Sequence, residues 1–245
     1  MTFSVIIPAY NEEKYIARCL HSISGLKKPV GCSFEVIVVN NASTDRTAET
    51  AHAALPEARI INEPKKGLTR AYNRGAREAR GEILFFVDAD MILSPSHLEK
   101  IAEEFKRDPR LAVLSGPYRY KDAGFFGDFA TRFVYLFFAM PAEFIFVRLL
   151  NVGASMASGN SAVRRSIFEK LGGFNEKIFY GLETEFALRA KKIGKVRFKY
   201  YLSTESSSRR LKKEGVLKTI FRHIANIIWP LLFGRPLTKS YIDIR

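Results

Sequence analysis

The first half of the chain alternates short apolar runs with stretches in which apolar residues recur at helical spacing. Phe3–Ile7 is an apolar, β-branched run ended by Pro8, and Phe34–Val39, Ala58–Ile61, Ile83–Val87 and Leu111–Ser115 read as further strands. Between them, Ile16, Cys19, Leu20 and Ile23 line one face of a helix for which Asn11 is the candidate cap. A second helix opens near Asp45 after the turn NNASTD. Leu68–Ala79 repeats the small residues Ala71, Gly75, Ala76 and Ala79 at helical spacing, and Ser94–Phe105 is a fourth helix. Strands alternating with helices predict an α/β fold with a mostly parallel, Rossmann-type sheet flanked by helices.

The second half has a different pattern. Residues 125–150 are dense in aromatics, and their longest apolar run, Phe133–Leu150, has about the length needed to cross a bilayer. Pro141, Glu143 and Arg148 interrupt it, and charges inside a span are costly, so a helical flap over a site or on a membrane surface is expected. Residues 215–233 mix Lys218, Arg222 and His223 with Ile220, Phe221, Ile224, Ile227, Ile228 and Trp229, a basic amphipathic pattern suited to an anionic interface or to docking on the core. The expected organisation is a domain over 1–205, with halves 1–115 and 116–205, followed by a basic tail over 206–245.

Charge adds to this picture. The chain of 245 residues carries a formal net charge of +14, concentrated between Arg189 and Arg222, where twelve Lys/Arg face only Glu205 and Glu214. Such a patch attracts phosphorylated ligands or an anionic membrane; no nucleic-acid module accompanies it, and nucleic acid is not an expected partner. Two cysteines, Cys19 and Cys32, make no disulfide framework, and Cys19 sits on the apolar helix face. A reducing, cytoplasmic setting, peripheral on the inner face of a membrane, is the expectation.

The candidate chemistry lies where GEILFFVDAD ends. Ile83–Val87 is apolar without a break, as suits a strand covered on both faces, and it runs into Asp88, Ala89 and Asp90. Ligands of open α/β sheets sit just outside the carboxyl ends of such strands. Two carboxylates there suit a hard divalent cation, Mg²⁺ or Mn²⁺, that keeps positions open for diphosphate oxygens.

Taken in order, VIIPAYNEE from Val5, VIVVNNASTD from Val36, KKGLTRAYNRGAREARGE before the Asp-x-Asp, SGNSAVRRSIFEKLGGFNE from Ser158 and YGLETEFALRAKKIGK from Tyr180 resemble the family 2 glycosyltransferases over about residues 3–195. The resemblance implies a GT-A fold and transfer of a sugar, with inversion, from a nucleoside-diphosphate-sugar. It places the nucleobase near Pro8, Ala9 and Tyr10, with Glu12 at the start of the following helix, and sets Asn41 where the family commonly has a base-reading aspartate. Asn in that place is a poorer match for guanine, which leans towards a UDP-sugar. Gly67 allows close approach, Arg70 and Asn73 reach towards phosphate or ribose, Asp88 faces ribose or sugar, and Asp90 binds the metal with Asp88 beside it.

The resemblance further implies a general base in GLETEF. Glu183 is the aligned carboxylate, with Glu185 as the alternative, and the two do not share a helix face. Asp45 is expected as a helix cap, the Gly172–Gly173 pair as a turn, and Arg209 and Arg210 as a clamp on the diphosphate. The aromatic stretch and basic tail make a lipid-linked acceptor the leading expectation, with a soluble glycan or protein acceptor open. Two rival enzymes lack their motifs here: a nucleotidyltransferase would need a Gly-rich loop where PAYNEE stands, and a dehydrogenase would need Gly-x-Gly-x-x-Gly. A non-catalytic binder or scaffold of the same fold stays open, because Leu182, Asn40 and Asn41 depart from the family pattern.

Overall fold

The computed structural model describes residues 1–120, 122, 156–178 and 181–215. The expected flap over 125–150 and all but the first residue of the expected amphipathic helix over 215–233 lie outside the described residues. Among those described, no helix is long and apolar enough to cross a membrane.

Strands β1 (Thr2–Ala9), β2 (Ser33–Asn40), β3 (Arg59–Asn62), β4 (Ile83–Val87) and β5 (Leu111–Ser115) alternate with helices α1 (Ile16–Ser24), α2 (Thr47–Ala54), α3 (Leu68–Glu78) and α4 (His97–Arg107). The short strand β6 (Tyr118–Arg119) follows, then β7 (Asn160–Arg164), α5 (Arg165–Lys170), α6 (Leu182–Lys191), β8 (Lys195–Phe198), a 3₁₀ turn (Tyr200–Leu202), β9 (Thr204–Glu205) and α7 (Arg209–Glu214). The main sheet has the order β3-β2-β1-β4-β7-β5-β8, and β6 pairs with β9 in a small second sheet.

The strands sort their side chains by pleat. Phe3, Val5 and Ile7 of β1 and Ile83, Phe85 and Val87 of β4 enter the core layer under α1, α2 and α4. Ile6, Leu84 and Phe86 enter the opposite layer, under α3, α5 and α6. Both layers bury apolar residues, which is why β4 carries no polar position. In β5 the alternation slips, with Ala112 and Val113 both in the second layer, at the register shift that marks a bulge against β8. The small face of α3 lets it lie close on β1 and β2, and a Cβ at Gly75 would overlap Ile6 and touch Val39.

Two local expectations are corrected. Pro8 does not end the first strand: β1 continues through Ala9, with Pro8 opposite Val39, because a proline costs the ladder only one N–H. Asn11 does not cap α1, which starts at Ile16. It takes a left-handed conformation (φ 52°), and its Oδ1 accepts the N–H of Thr44, so it ties two loops together. The sheet also contains an antiparallel strand, β7, between β4 and β5, so it is mixed but mostly parallel.

From β1 the chain winds outward through β2 to β3, then crosses by α3 to place β4 on the other side of β1. That reversal opens a crevice beyond the carboxyl ends of β1 and β4. Tyr10–Glu12 and Asp88–Asp90 follow those ends.

Candidate functional site at the carboxyl ends of β1 and β4

Past β4 the pleat alternates once more. Ala89 points into the core while Asp88 and Asp90 stay partly exposed. Asp88 meets the α3 side, where its Oδ1 accepts the hydroxyl of the fully buried Tyr72. Gly159 presses on the same carboxylate, and a Cβ there would overlap it. The N–H of Gly159 donates to the Tyr118 hydroxyl at 3.0 Å. Behind the motif, burial and then the Asp90 and Asp88 charges drive the Cys19 thiol far up its scale. It is an inert core residue, as its helix face implied.

Asp90 meets a cation. Arg209, at the start of α7, donates to both oxygens of Glu12 at 2.7 and 2.5 Å, reaches Asp90 Oδ2 at 3.2 Å, and stacks over Tyr15 with 4.7 Å from guanidinium carbon to ring centroid. Glu12 is only 1% exposed, and its backbone N–H donates to the Thr47 hydroxyl at 2.8 Å. Burial alone would lower the Arg209 pKa, but the hydrogen bonds to Glu12 and the charge of Asp90 raise it overall. The diphosphate clamp expected of Arg209 is here a bridge between two carboxylates. Ser206 and Ser207 line the other side, so the pocket at Asp90 is small, about 120 Å³. The side chain of Arg210 lies outside the described residues.

Glu183 stands in the first turn of α6, which follows Gly181 in a left-handed conformation (φ 74°). Burial raises its pKa above the ordinary glutamate value, a backbone hydrogen bond partly offsets this, and the charge of Asp88 adds to the rise. Glu185 turns away. It holds Arg189 Nε at 2.6 Å and Nη2 at 2.8 Å, beside a cleft of about 840 Å³ that Arg77, Phe168 and Glu176 also line. Glu183 lies within the field of the Asp88 charge.

Several residues expected at the donor are committed to backbone. Asn41, 3% exposed, donates to the carbonyls of Glu63 and Lys65 and accepts the N–H of Gly67 at 2.8 Å, so it pins the 63–67 loop. Gly67 enters α3 at φ 154°, a backbone conformation suited to glycine. Asn73 is buried and exchanges hydrogen bonds with the N–H and carbonyl of Phe174, while Arg70 pairs with Glu176 at 3.2 Å. Both hold the loop after the Gly172–Gly173 turn. Tyr10 keeps its ring at the crevice, with the Lys66 ammonium 3.9 Å from its centroid, and Pro8 and Ala9 close the end of β1. Asp45 accepts the N–H of Thr47, the first residue of α2, as a cap would.

Sequence reasoning missed three supporting residues, Tyr72, Tyr118 and His97. Tyr72 was visible as the one large side chain among the small residues of its helix face. Tyr118 and the His97–Asn160 pair gave no such signal, because their partners are remote in sequence. Burial depresses the His97 pKa to about 4, so neutral Nε2–H donates to Asn160 Oδ1 at 3.0 Å. The Asn160 amide donates to the carbonyl of Leu202 at 2.7 Å.

The donor chemistry fits a divalent cation at Asp90. Its carboxylate already holds a positive group, and Mg²⁺ or Mn²⁺ commonly takes one or two protein carboxylates with phosphate oxygens completing the shell. Among the described residues no three acid, His or Cys side chains converge, so the protein alone would not enclose the ion.

A doubly wound sheet with an Asp-x-Asp at the switch point and an antiparallel strand inserted after it defines a GT-A fold. The family profile described as glycosyl transferase family 2 matches residues 4–172, and the chain belongs to that family. It is 32% identical over 197 residues to an uncharacterised protein of Mycobacterium tuberculosis, covering 76% of this chain and 60% of that one. It is 29% identical to the probable glycosyltransferase YdaM of Bacillus subtilis, covering 78% and 47%. The chain thus spans about half to three-fifths of the length of these curated relatives. Glucosyl-3-phosphoglycerate synthase from M. tuberculosis, solved with Mn²⁺, UDP and phosphoglyceric acid, superposes with a TM-score of 0.66 at 21% identity, over 94% of this chain and 78% of that one. The mannosyltransferase PcManGT from Pyrobaculum calidifontis, solved with GDP-Man and Mn²⁺, gives 0.64 at 22%, over 91% and 64%.

Proposed function

We propose that this protein transfers a sugar, with inversion, from a nucleoside-diphosphate-sugar to an acceptor hydroxyl or phosphate. The observation that carries this reading is the pairing of a cation-holding Asp90 with a second carboxyl, Glu183, raised in pKa within the field of Asp88. Asp90, with Asp88 beside it, would hold the divalent metal, whose Lewis acidity offsets charge on the departing diphosphate.

Glu183 takes the proton of the acceptor hydroxyl as the acceptor oxygen bonds to the anomeric carbon. The bond to the diphosphate oxygen breaks in the same displacement, so no protein nucleophile is needed. Its raised pKa makes Glu183 a stronger base than an exposed glutamate while leaving it ionised above that pKa. Arg209 exchanges its carboxylates for the diphosphate, since guanidinium matches both. Tyr10 offers its ring to the base. With Asn41 holding the 63–67 loop, the base preference is tested directly, starting with a UDP-sugar.

For the acceptor we propose a lipid-linked group at the inner face of a membrane. Support comes from the aromatic stretch over 125–150 and the basic stretch over 215–233 in the sequence, and from a relative named dolichol-phosphate mannosyltransferase from Pyrococcus furiosus, 34% identical over 127 residues. Flotation with anionic vesicles at low salt tests it, and absence of binding there would count against the membrane. Release of nucleoside diphosphate from UDP-, GDP- and dTDP-sugars with Mn²⁺ tests the transfer. One donor should turn over, and Asp90→Ala should abolish the reaction. Release of pyrophosphate instead would sink the reading.

A further inference from the structure

We propose that Tyr72 is the positioning residue of this site, its hydroxyl fixing the Asp88 carboxylate in the orientation that receives the nucleoside diphosphate and its metal. The inference rests on the transferase reading above. The effect of Tyr72 passes through Asp88.

Four observations carry it. The phenol oxygen donates to Asp88 Oδ1, and Tyr72 is completely buried. A buried hydroxyl with an anionic acceptor is committed to that acceptor, because losing it would leave a polar group unpaired away from water. The ring cannot swing away: it packs edge-on to Phe86, with centroids 5.1 Å apart, and against Phe174 at 5.6 Å. Gly159 bears on the same carboxylate, leaving no room for a side chain at that position. Strand β7 holds Gly159 there, since the next residue, Asn160, pairs with Val87 at the end of β4.

The arrangement separates the two aspartates. Asp90 meets Arg209, a guanidinium that it shares with Glu12. Asp88 meets a ring locked in an aromatic cluster. A carboxylate that only capped a loop would need no such lock, whereas one that must meet a bound ligand in a single rotamer gains from it.

The test compares the wild type with Tyr72→Phe, Gly159→Ala and Tyr201→Phe by calorimetric titration of UDP and GDP with Mn²⁺, alongside melting temperature. Tyr201 supplies a matched control, since its hydroxyl also bonds a carboxylate, Glu104, but on α4. Tyr72→Phe keeps the ring, so the expected result is binding weaker by about tenfold or more, the scale of one hydrogen bond to a charged group. Gly159→Ala should weaken the same binding by displacing the carboxylate, and Tyr201→Phe should bind as the wild type does. If Tyr72→Phe binds like the wild type, or weakens binding no more than Tyr201→Phe, the positioning role is overturned while the transferase reading stands. If the wild type binds neither nucleotide with metal, both readings fall together.

Discussion

Glu183 and Glu185 sit two residues apart in the first turn of α6, and their surroundings give them different work. Glu185 is held by two short contacts to Arg189, so Glu185→Gln should lower helix stability slightly and leave turnover within a few-fold. Glu183→Gln should cost about 10²- to 10⁴-fold in turnover, the usual contribution of a general base, with nucleotide binding kept. Because burial and Asp88 raise the Glu183 pKa, the acid limb of activity should lie above the ordinary glutamate range. The sign for stability is the opposite of a salt-bridged acid. A carboxyl with a raised folded pKa destabilises the fold progressively as pH rises from its unfolded to its folded value, and not below the unfolded one. Glu183→Gln should therefore match or exceed the wild type in melting temperature at pH 8, with the difference vanishing near pH 4. Thermal melts across that range decide it.

Arg209 presents a second residue-scale case. It neutralises a glutamate with almost no access to water, so Arg209→Ala strands a buried charge, and about 3 kcal/mol of stability should be lost. Urea denaturation measures this. Adding Mn²⁺ with a nucleoside diphosphate should restore part of the loss, because a ligand that binds only the folded protein stabilises it by mass action. The sequence placed Arg209 at the site through its chemistry; its resting partner, Glu12, lies nearly two hundred residues earlier in the chain, and no local pattern links them.

At the scale of elements, close packing of α3 on β1 rests on Gly75. Gly75→Ala drives a methyl group into Ile6, and we expect a loss of about 1–3 kcal/mol in chemical denaturation, the range for overpacking. Tyr72 and Asn73 ride on the same helix, so the substitution should also weaken nucleotide binding. The small-residue repeat at helical spacing makes this contact legible in the amino-acid sequence itself. The strands up to β5 are legible for a similar reason: their short runs are rich in apolar residues and bounded by polar turns. Strand β7 is not, because NSAVR is short and its pairing with β4 depends on a chain reversal that hydrophobic pattern does not encode. The backbone contacts of Asn41 are illegible for a related cause: its residue type suits either base or backbone, and only the fold of the 63–67 loop brings the carbonyls of Glu63 and Lys65 to it.

Across the whole molecule, the basic segment between Arg189 and Arg222 reads in sequence as a free positive patch because its acidic partners come from elsewhere in the chain. Lys195 and Arg197 meet Asp108 at 2.7 and 2.6 Å, and Arg197 and Lys199 meet Glu104 at 3.2 and 3.7 Å. The Tyr201 hydroxyl donates to Glu104 at 2.5 Å. This network fastens β8, the sheet's edge strand, and the following 3₁₀ turn to α4, so it closes the sheet at that side. Burial would raise the Glu104 pKa, but Tyr201, Lys199 and Arg197 outweigh it and the net shift is downward; the Asp108 pKa falls chiefly through the hydrogen bond from Lys195. Acids with depressed folded pKa values stabilise the protein above their unfolded values, near 4, and that stabilisation is lost as pH falls through the folded ones. Unfolding free energy should therefore decline steeply below about pH 4. Glu104→Gln should remove roughly 1–3 kcal/mol at pH 7 and flatten the decline, since the buried position keeps its packing but loses its charge. Because the cations are about a third exposed, the lower end of that range is expected, and added salt should shrink it further. Urea titrations of wild type and Glu104→Gln at pH 3 and pH 7 decide it: a difference equally large at both would show that packing, not charge, fastens the edge strand.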